Sequence, residues 1–186
     1  METNPERWQQ LIEKALAGDR GAFSEIVRIM MKPIIALTYR MTQNQDAAHD
    51  LAQETFLSAW SHRSDFRGKL GFTSWLYKIA TNKTLNYLAS PKQAALSVDD
   101  YLPGMVSDTD NPENILIKKE LRENVLKFMA TLPAQQRIVF NLRFYNNMPF
   151  AEIARITGRA EGTVKTNYRE AVRKLKSFAL EKGWRR

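Results

Sequence analysis

Cysteine is absent from this chain of 186 residues, and histidine occurs only twice, at positions 49 and 62. Without cysteine there is no disulfide framework, thiolate metal site or cysteine nucleophile, a composition consistent with a reducing cytoplasm. Two histidines are too few for most zinc or general-base sites, and the sequence contains no nucleophile–base arrangement and no phosphate-binding loop. We therefore expect a protein that is not an enzyme and that has no cofactor and no metal site.

Long apolar runs are also missing. The longest, around residues 30–37, is interrupted by Lys32 and Pro33 and is too short to span a bilayer. The first ten residues are polar and include acidic side chains, unlike a secretory signal. These features predict a cytoplasmic protein without membrane insertion.

Positive charge is in excess, and its distribution is more informative than its sum. The formal net charge of +8 favours a polyanionic partner such as nucleic acid or an anionic membrane, although a soluble protein with a basic surface fits equally well. Residues 159–186 hold nine lysines and arginines against three acids, and residues 63–92 hold six against one. Residues 93–117 hold five acids and no lysine or arginine. An acidic segment therefore separates two basic blocks.

This acidic segment divides the chain into two predicted domains. It contains prolines and a glycine and shows little periodicity, as linkers do. Elsewhere apolar residues recur at spacings of three and four, which indicates helices. We predict an all-α fold with a helical domain at 1–91, a flexible acidic linker at 92–112 and a second helical domain at 113–186. Fully extended, the linker would span roughly 65 Å.

Eight helices are predicted from this periodicity and from residues typical of helix ends. Asp19 is a candidate N-cap for the second helix, Pro33 should kink that helix, and Thr73 is a candidate cap for the fourth. The predicted helices span residues 5–17, 19–41, 45–60, 73–88, 112–131, 134–144, 149–157 and 161–181.

The last two predicted helices have the features of a DNA-binding helix-turn-helix, from about Met148 to Lys176. Pro149 suits a first helical position, and Gly158 suits the left-handed turn between the helices. The second helix has one apolar face and one basic face, so we expect it to enter the major groove. The alternative is a surface helix whose charges only interact with solvent. The apolar residues are Val164, Tyr168, Ala171 and Leu175, and the opposite face carries Lys165, Thr166, Arg169, Arg173 and Lys176.

Two stretches of the first domain carry further patterns. The third predicted helix holds Asp50, Gln53 and Glu54 away from its apolar face and has no lysine or arginine. This acidic face suits a basic protein partner better than DNA. From Phe66 to Leu88, a loop with two glycines leads into a helix where aromatic residues alternate with cations, which suits unstacked bases of single-stranded nucleic acid. The simpler alternatives are a solvated polar face and a set of core aromatics.

In this order, these stretches resemble regions 2 and 4 of the bacterial extracytoplasmic-function (ECF) sigma factors of RNA polymerase. The similarity to region 2 runs through AGDRGAFSEIV at 17–27, HDLAQETFLSAW at 49–60 and FRGKLGFTSWLYKIATN at 66–82. The similarity to region 4 covers LPAQQRIVFNLRFYNNMPFAEIARITGRAEGTVKT at 132–166. The resemblance extends over nearly the whole chain. The occurrence of both regions in this order is highly specific for the family.

The resemblance implies a transcription initiation factor that binds core RNA polymerase and directs it to specific promoters. The third helix would dock on the clamp helices of the largest polymerase subunit, through Asp50, Gln53, Glu54 and Leu57. The glycine loop and fourth helix would recognise and melt the −10 element, through Arg67, Lys69, Leu70, Phe72, Trp75, Lys78 and Asn82. The last helix would bind the −35 element, through Thr163, Lys165, Thr166, Arg169 and Arg173.

The resemblance also bears on partners and on promoter preference. ECF sigma factors are commonly held inactive by an anti-sigma factor, which joins core polymerase and promoter DNA among the expected partners of a chain that is a monomer when free. His49 stands where many relatives carry glutamate, and Glu170-Ala171-Val172 stands where many carry Arg-Ala-Arg. The promoter preference should therefore differ from that of better-known members. Glu170 would either accept a hydrogen bond from a cytosine amine or pair with a neighbouring cation.

Two other functions would also be consistent with the excess of positive charge. One is a helix-turn-helix regulator that binds duplex DNA without polymerase, which leaves the aromatic loop and the acidic helix unexplained. The other is an RNA-binding or membrane-surface protein. Association with core polymerase distinguishes a sigma factor from the first rival. The second predicts binding to RNA or anionic vesicles that survives Lys165→Glu combined with Arg169→Glu.

Overall fold

The computed structural model describes residues 4–68, 70–90 and 112–183, with the backbone alone for residues 112–120 and 122. Within those residues all regular structure is helical and no strand occurs, which confirms the predicted all-α class. The predicted linker lies outside this part of the chain except for Pro112, and the predicted domain boundaries stay predictions. The N-terminal half contains α1 (Pro5–Leu16), α2 (Arg20–Thr42), α3 (Gln45–Ser61), a 3-10 turn (Arg63–Asp65) and α4 (Phe72–Ala89). The C-terminal half contains α5 (Pro112–Thr131), α6 (Ala134–Phe144), α7 (Phe150–Thr157) and α8 (Glu161–Glu181).

Side-chain caps fix the beginnings of α2 and α3. The Asp19 carboxylate accepts a hydrogen bond from the Ala22 N–H at 3.0 Å, which confirms the predicted cap. The Asn44 side chain accepts from the N–H three residues later at 2.8 Å. The prediction that Thr73 caps α4 is wrong, because the helix already begins at Phe72 and Gly71 occupies the cap position.

Helix α2 lies at the centre of the N-terminal half, in contact with α1, α3 and α4. Its buried side chains recur at spacings of three and four, so they form one stripe along the helix. Full burial of one such side chain stabilises the fold by about 1.5–3 kcal/mol. Pro33 lies inside α2, and the helix continues past it to Thr42. The buried stripe consists of Ile26, Met30, Ile34, Leu37 and Met41.

The two halves of the molecule pack against each other. Helix α4 contacts α7, and α2 contacts α5 and α6. One set of buried apolar side chains continues from Leu37 and Leu76 in the first half to Leu142 and Ile153 in the second. The helix-turn-helix is therefore positioned by the N-terminal half as well as by its own core.

Candidate nucleic-acid interface

Helices α7 and α8 form the predicted helix-turn-helix. Helix α7 ends at Gly158, whose φ of 66° and ψ of 26° lie in the left-handed region that favours glycine. The Arg159 N–H then bonds to the Ala154 carbonyl oxygen at 3.1 Å, which closes the turn before α8 begins at Glu161. Pro149 precedes α7 as its cap rather than occupying the first helical position. The turn thus has the geometry that its sequence predicted.

Helix α8 has one buried face and one exposed face. Val164 and Ala171 are fully buried, and Tyr168 and Leu175 are half-buried, as their spacing predicts. Because these side chains hold α8 against α6 and α7, its other face is presented to solvent. All five residues predicted to bind the −35 element are exposed there: Thr163, Lys165, Thr166, Arg169 and Arg173.

Two cations of this exposed face are paired with carboxylates of the same helix. The Lys165 Nζ lies 2.7 Å from a carboxylate oxygen of Glu161. The Arg173 guanidinium donates to Glu170 through Nη2 at 2.7 Å and through Nε at 3.2 Å. Arg169 makes a different contact, a 3.4 Å hydrogen bond from its guanidinium to a threonine hydroxyl one turn earlier. The three cations therefore have different partners in the free protein.

Glu170 pairs with a cation in this structure, which is one of the two roles that its sequence position left open. The hydrogen bond and the charge of Arg173 lower the pKa of the Glu170 carboxyl. Arg173 is thereby held on the outer face of α8, where it lines a shallow groove with Tyr168, Arg169, Val172 and Lys176. Both hydrogen bonds from Arg173 go to the same carboxylate oxygen of Glu170, Oε2.

The loop before α4 and the start of that helix bring three aromatic rings together. The ring centroids of Phe66 and Phe72 are 5.7 Å apart, those of Phe66 and Trp75 are 5.4 Å apart, and those of Phe72 and Trp75 are 5.5 Å apart. Phe72 is only 4% exposed, whereas Phe66 and Trp75 are half-buried. Of the aromatic residues predicted to bind the −10 element, Trp75 presents a surface to solvent and Phe72 belongs to the core.

Polar and cationic side chains occur beside these aromatic residues in the sequence, in the loop and along α4. Asn82 and Arg67 are exposed, and Lys78 and Leu70 are partly exposed. The Arg67 guanidinium donates to a backbone carbonyl of the preceding 3-10 turn at 2.6 Å, which ties the loop to that turn. Lys69, also predicted to bind the −10 element, lies outside the described residues. The remaining predicted residues lie in the loop before α4 and on that helix.

Helix α3 exposes the acidic face that its periodicity predicts. Asp50, Gln53 and Glu54 are exposed, and Leu57 beside them is 68% exposed. Leu57 is one of the large apolar side chains that this part of the chain exposes. Glu54 is also bridged to Lys83 of α4, with a distance of 3.2 Å between the charged atoms.

The residues that sequence reasoning missed are those that join the two halves of the molecule. The Arg40 Nε donates to the Asn141 side-chain oxygen at 2.8 Å, and Arg137 donates to the Met41 carbonyl oxygen at 2.6 Å. Asn141 is the one sequence feature that could have indicated this contact. It interrupts an apolar stretch of α6, and an asparagine that is fully buried there needs polar partners. Its partner Arg40 is 101 positions away, which no local pattern reports.

The described residues contain no helix suited to crossing a membrane and no group of three or more acidic or histidine side chains that could hold a metal ion.

Two family models match the chain, and together they span both halves. Sigma-70 region 2 matches residues 26–93, and sigma-70 region 4 matches residues 122–175. The ECF RNA polymerase sigma-E factor of Escherichia coli K12 is 32% identical over 175 residues, covering 88% of this chain and 91% of the relative. The chain belongs to the ECF sigma factors of RNA polymerase. A further relative, the RNA polymerase sigma-H factor of Pseudomonas aeruginosa, is 30% identical over 91% of this chain and 93% of its own length.

Two solved structures share the fold of this sigma factor. CnrH, solved in complex with the cytosolic domain of CnrY, superimposes with a TM-score of 0.69 at 21% identity, covering 92% of this chain and 96% of CnrH. The sigma factor RpoE of Bartonella quintana, solved with the anti-sigma factor NepR, gives 0.67 at 20% identity, covering 84% and 95%.

Membership of this family confirms the predicted function at the level of the whole chain. The sigma factor directs RNA polymerase to specific promoters, and proteins of this class are transcription initiation factors rather than catalysts. A regulator that acts without polymerase is not favoured, because the region 2 match accounts for the N-terminal half that such a regulator leaves unexplained.

Proposed function

We propose that this sigma factor binds polymerase and the two promoter elements through three different exposed faces. The acidic face of α3 binds the clamp helices of the largest polymerase subunit, the aromatic loop and α4 recognise and melt the −10 element, and the exposed face of α8 binds the −35 element. The observation that carries the proposal is that the three faces lie on different helices and have different chemistry. One is acidic with an apolar residue, one is aromatic and polar, and one is basic.

The α3 face suits a basic protein surface. Asp50 and Glu54 provide negative charge, and Leu57 provides apolar area that is lost to water when a partner covers it. Since DNA repels acidic side chains, this face of a basic protein is better suited to polymerase than to promoter.

Core binding is tested with Leu57→Ala. The side chain is 68% exposed, so its truncation should leave the fold unchanged while weakening binding to core polymerase about tenfold in a fluorescence titration. Leu180→Ala is the matched control, because Leu180 is 77% exposed on α8. Equal affinity of both variants and of wild type for core would contradict the assignment of α3.

The −10 face combines a half-buried Trp75 with the exposed Asn82 and partly exposed Lys78. A base that leaves the DNA stack can stack on an aromatic ring, and hydrogen bonds to its edge then come from polar side chains nearby. Arg67, Lys69 and Leu70 of the loop complete the proposed face. Phe72, which is buried, acts by supporting Phe66 and Trp75 from beneath.

The −35 face is the N-terminal part of α8, which enters the major groove in a helix-turn-helix. Thr163, Lys165, Thr166 and Arg169 lie within its first turns, so they reach base edges and nearby phosphates. Arg173 lies further along the helix and is better placed for a phosphate. The whole division is tested by run-off transcription with core polymerase on a promoter library, which should recover two conserved elements. Recovery of a single element would contradict it.

An anti-sigma partner and a cytoplasmic location belong to the same proposal. CnrH and RpoE, which share this fold, were each solved with a bound partner, and the RpoE partner is named an anti-sigma factor. We propose that a comparable protein covers exposed faces of this sigma factor, which is otherwise a monomer, in the cytoplasm where RNA polymerase works. A partner identified by co-purification should compete with core polymerase. Simultaneous binding of both would count against inhibition by occlusion.

A further inference from the structure

Most glycines of the described residues have a role in the fold of the free protein. Gly158 ends α7 with a positive φ, and three other glycines also have a positive φ. A Cβ on Gly21 would lie 3.2 Å from the Asp19 carboxylate that caps α2, and Gly71 is itself the cap residue of α4. These conformations and contacts explain glycine at each of these positions. The glycines with positive φ are Gly18, Gly68, Gly158 and Gly183.

Gly162 has no such role. It lies inside α8 rather than in a turn, and its φ is not positive. A Cβ added there would meet nothing within 4 Å beyond its chain neighbours and the helix backbone. Glycine is less favourable than alanine within a helix, because it loses more conformational freedom on folding. The free protein would therefore accept alanine at position 162, so the missing side chain matters only to a molecule that approaches from outside.

Gly162 lies on the side of α8 that points away from the core. Together with three residues of the proposed −35 face it forms one stripe, at spacings of four, three and four. The core-facing side chains have the same spacing two residues later, and two residues correspond to about 200° around a helix. The two stripes are therefore on opposite sides of α8. The exposed stripe consists of Gly162, Thr166, Arg169 and Arg173, and the core-facing one of Val164, Tyr168, Ala171 and Leu175.

Side-chain size increases along the exposed stripe. Gly162 has no side chain, Thr166 has a short one, and the two arginines have long ones. A double helix can therefore come nearest to the backbone of α8 at its N-terminal end, while the arginines span a greater distance further along. The major groove is about 12 Å wide and a helix with its side chains is about 10–12 Å across, so the fit is tight. A side chain at position 162 would occupy space that the groove does not provide.

The polar groups near Gly162 are compatible with a close approach of DNA. Glu161 would repel a phosphate, but its carboxylate lies 2.7 Å from the Lys165 Nζ and is neutralised by it. The Arg169 guanidinium donates to the Thr166 hydroxyl at 3.4 Å, so it points back toward the N-terminal end of the helix. The cation best suited to a base edge is thus directed toward the end of α8 where Gly162 lies.

We propose that Gly162 sets how deeply α8 enters the major groove of the upstream promoter element. Without a side chain there, the helix backbone contacts the DNA, and Thr166 and Arg169 reach the base edges. Any side chain at this position lifts the end of α8, and contacts to base edges are lost before contacts to phosphates at the rim of the groove. Because base edges carry the sequence information, Gly162 is a positioning residue for sequence readout. This inference rests on the proposed function, which assigns α8 to the −35 element.

Two substitutions of increasing size test this role. Gly162→Ala and Gly162→Leu introduce residues that favour helices, so the midpoint of urea unfolding should rise or stay unchanged. The DNA probe is a promoter duplex with the upstream element recovered from the promoter library, bound by the sigma factor together with core polymerase. Affinity should fall about tenfold for alanine and about a hundredfold for leucine, as base contacts are lost. With the upstream element scrambled, affinity should change less than about twofold, because phosphate contacts remain.

Ser177→Leu is the matched control. Ser177 is exposed on α8 about 22 Å further along the helix, so this variant adds the same side chain far from the proposed contact. Both affinities should stay within about twofold of wild type. Protection of guanine N7 atoms from dimethyl sulfate is a second readout, since N7 faces the major groove. At saturating protein, protection within the upstream element should decrease for Gly162→Ala and not for Ser177→Leu.

Wild-type affinity and protection in Gly162→Leu would overturn the inference, and so would equal losses for the intact and the scrambled element. A loss of specific binding accompanied by a lower unfolding midpoint would show that position 162 acts through the fold, which also contradicts it. Failure of the wild-type complex to prefer the intact element would instead overturn the proposed function, and the inference with it.

Discussion

Helix α4 and its loop bring aromatic side chains together in the interior, whereas α8 presents charged side chains on a face that contributes little to the core. Phe72 is 4% exposed while supporting Trp75, and Arg169 is exposed and touches no core residue in the contacts described. The same residues that would melt DNA thus also stabilise the fold at α4. At α8, the proposed DNA binding and the folding contacts use opposite faces of the helix. Substitutions should therefore affect stability and function together in the first region and separately in the second.

The largest expected effect is that of Phe72→Ala. Removing a buried phenylalanine from the aromatic cluster should lower the free energy of unfolding by about 3–5 kcal/mol. Promoter melting should be lost with it, because Phe66 and Trp75 lose their common support. Urea unfolding measures the first effect. Arg169→Ala is the comparison and should change stability by less than about 0.5 kcal/mol. Similar losses of unfolding free energy in the two variants would contradict the difference proposed between α4 and α8.

A smaller effect is expected for Asn82→Ala, which separates function from stability within α4. Asn82 is exposed, so its removal leaves the core intact. Promoter opening, followed by permanganate reactivity of unpaired thymines, should fall about tenfold if one base contact is lost. Affinity for a duplex with the upstream element alone should stay unchanged. Asn86→Ala, at an exposed position one turn later, is the control.

Arg169→Ala should have the complementary effect at α8. Affinity for the upstream duplex should fall by roughly five- to a hundredfold, the range for loss of a good base contact. Opening of a promoter that is already bound should be unaffected. Lys182→Ala removes an exposed cation beyond the end of α8 and serves as the control. A loss confined to opening would reverse the assignments of α4 and α8.

The smallest effect is expected for Glu170→Gln, which frees Arg173 from its pair. Affinity for the upstream duplex should rise about two- to fivefold, because Arg173 no longer has to leave a carboxylate before it reaches a phosphate. The pKa of Glu170 is lowered below its ordinary value of 4.5, so the pair is lost only as the pH falls through that lowered pKa. The ratio of variant to wild-type affinity should therefore stay constant between pH 8 and about pH 5.5. A ratio that changes over this range would contradict the pairing.

Local features of the sequence account for most of the helices. The Asp19 cap and the Gly158 turn act on neighbouring residues, so their sequence positions predict where α2 begins and where α7 ends. Phe72 is harder to assign, because an aromatic residue among cations is compatible with both stacking on a base and packing in the core. Its burial depends on Phe66 across the loop, and a single sequence does not report that contact.

The contact between the halves could not be predicted. Arg40 and Asn141 are 101 positions apart, and each has an ordinary local explanation, as a basic residue near a helix end and as a polar residue in a helix. Periodicity describes which face of a helix is apolar, but not which other helix covers it. The overall family assignment was nevertheless available from the sequence, because the sigma region motifs are long and occur in series.

The carboxylate pairs on α8 have a consequence for how promoter binding responds to ionic strength. A protein cation that neutralises a DNA phosphate releases a condensed counterion, and each such contact steepens the decrease of affinity with salt by about 0.9 in a plot of log affinity against log salt concentration. Lys165 and Arg173 are already neutralised by Glu161 and Glu170. Each acid that stays with its cation in the complex removes about one such release. We therefore expect the upstream contact of this sigma factor to weaken less steeply with salt than its count of basic side chains suggests.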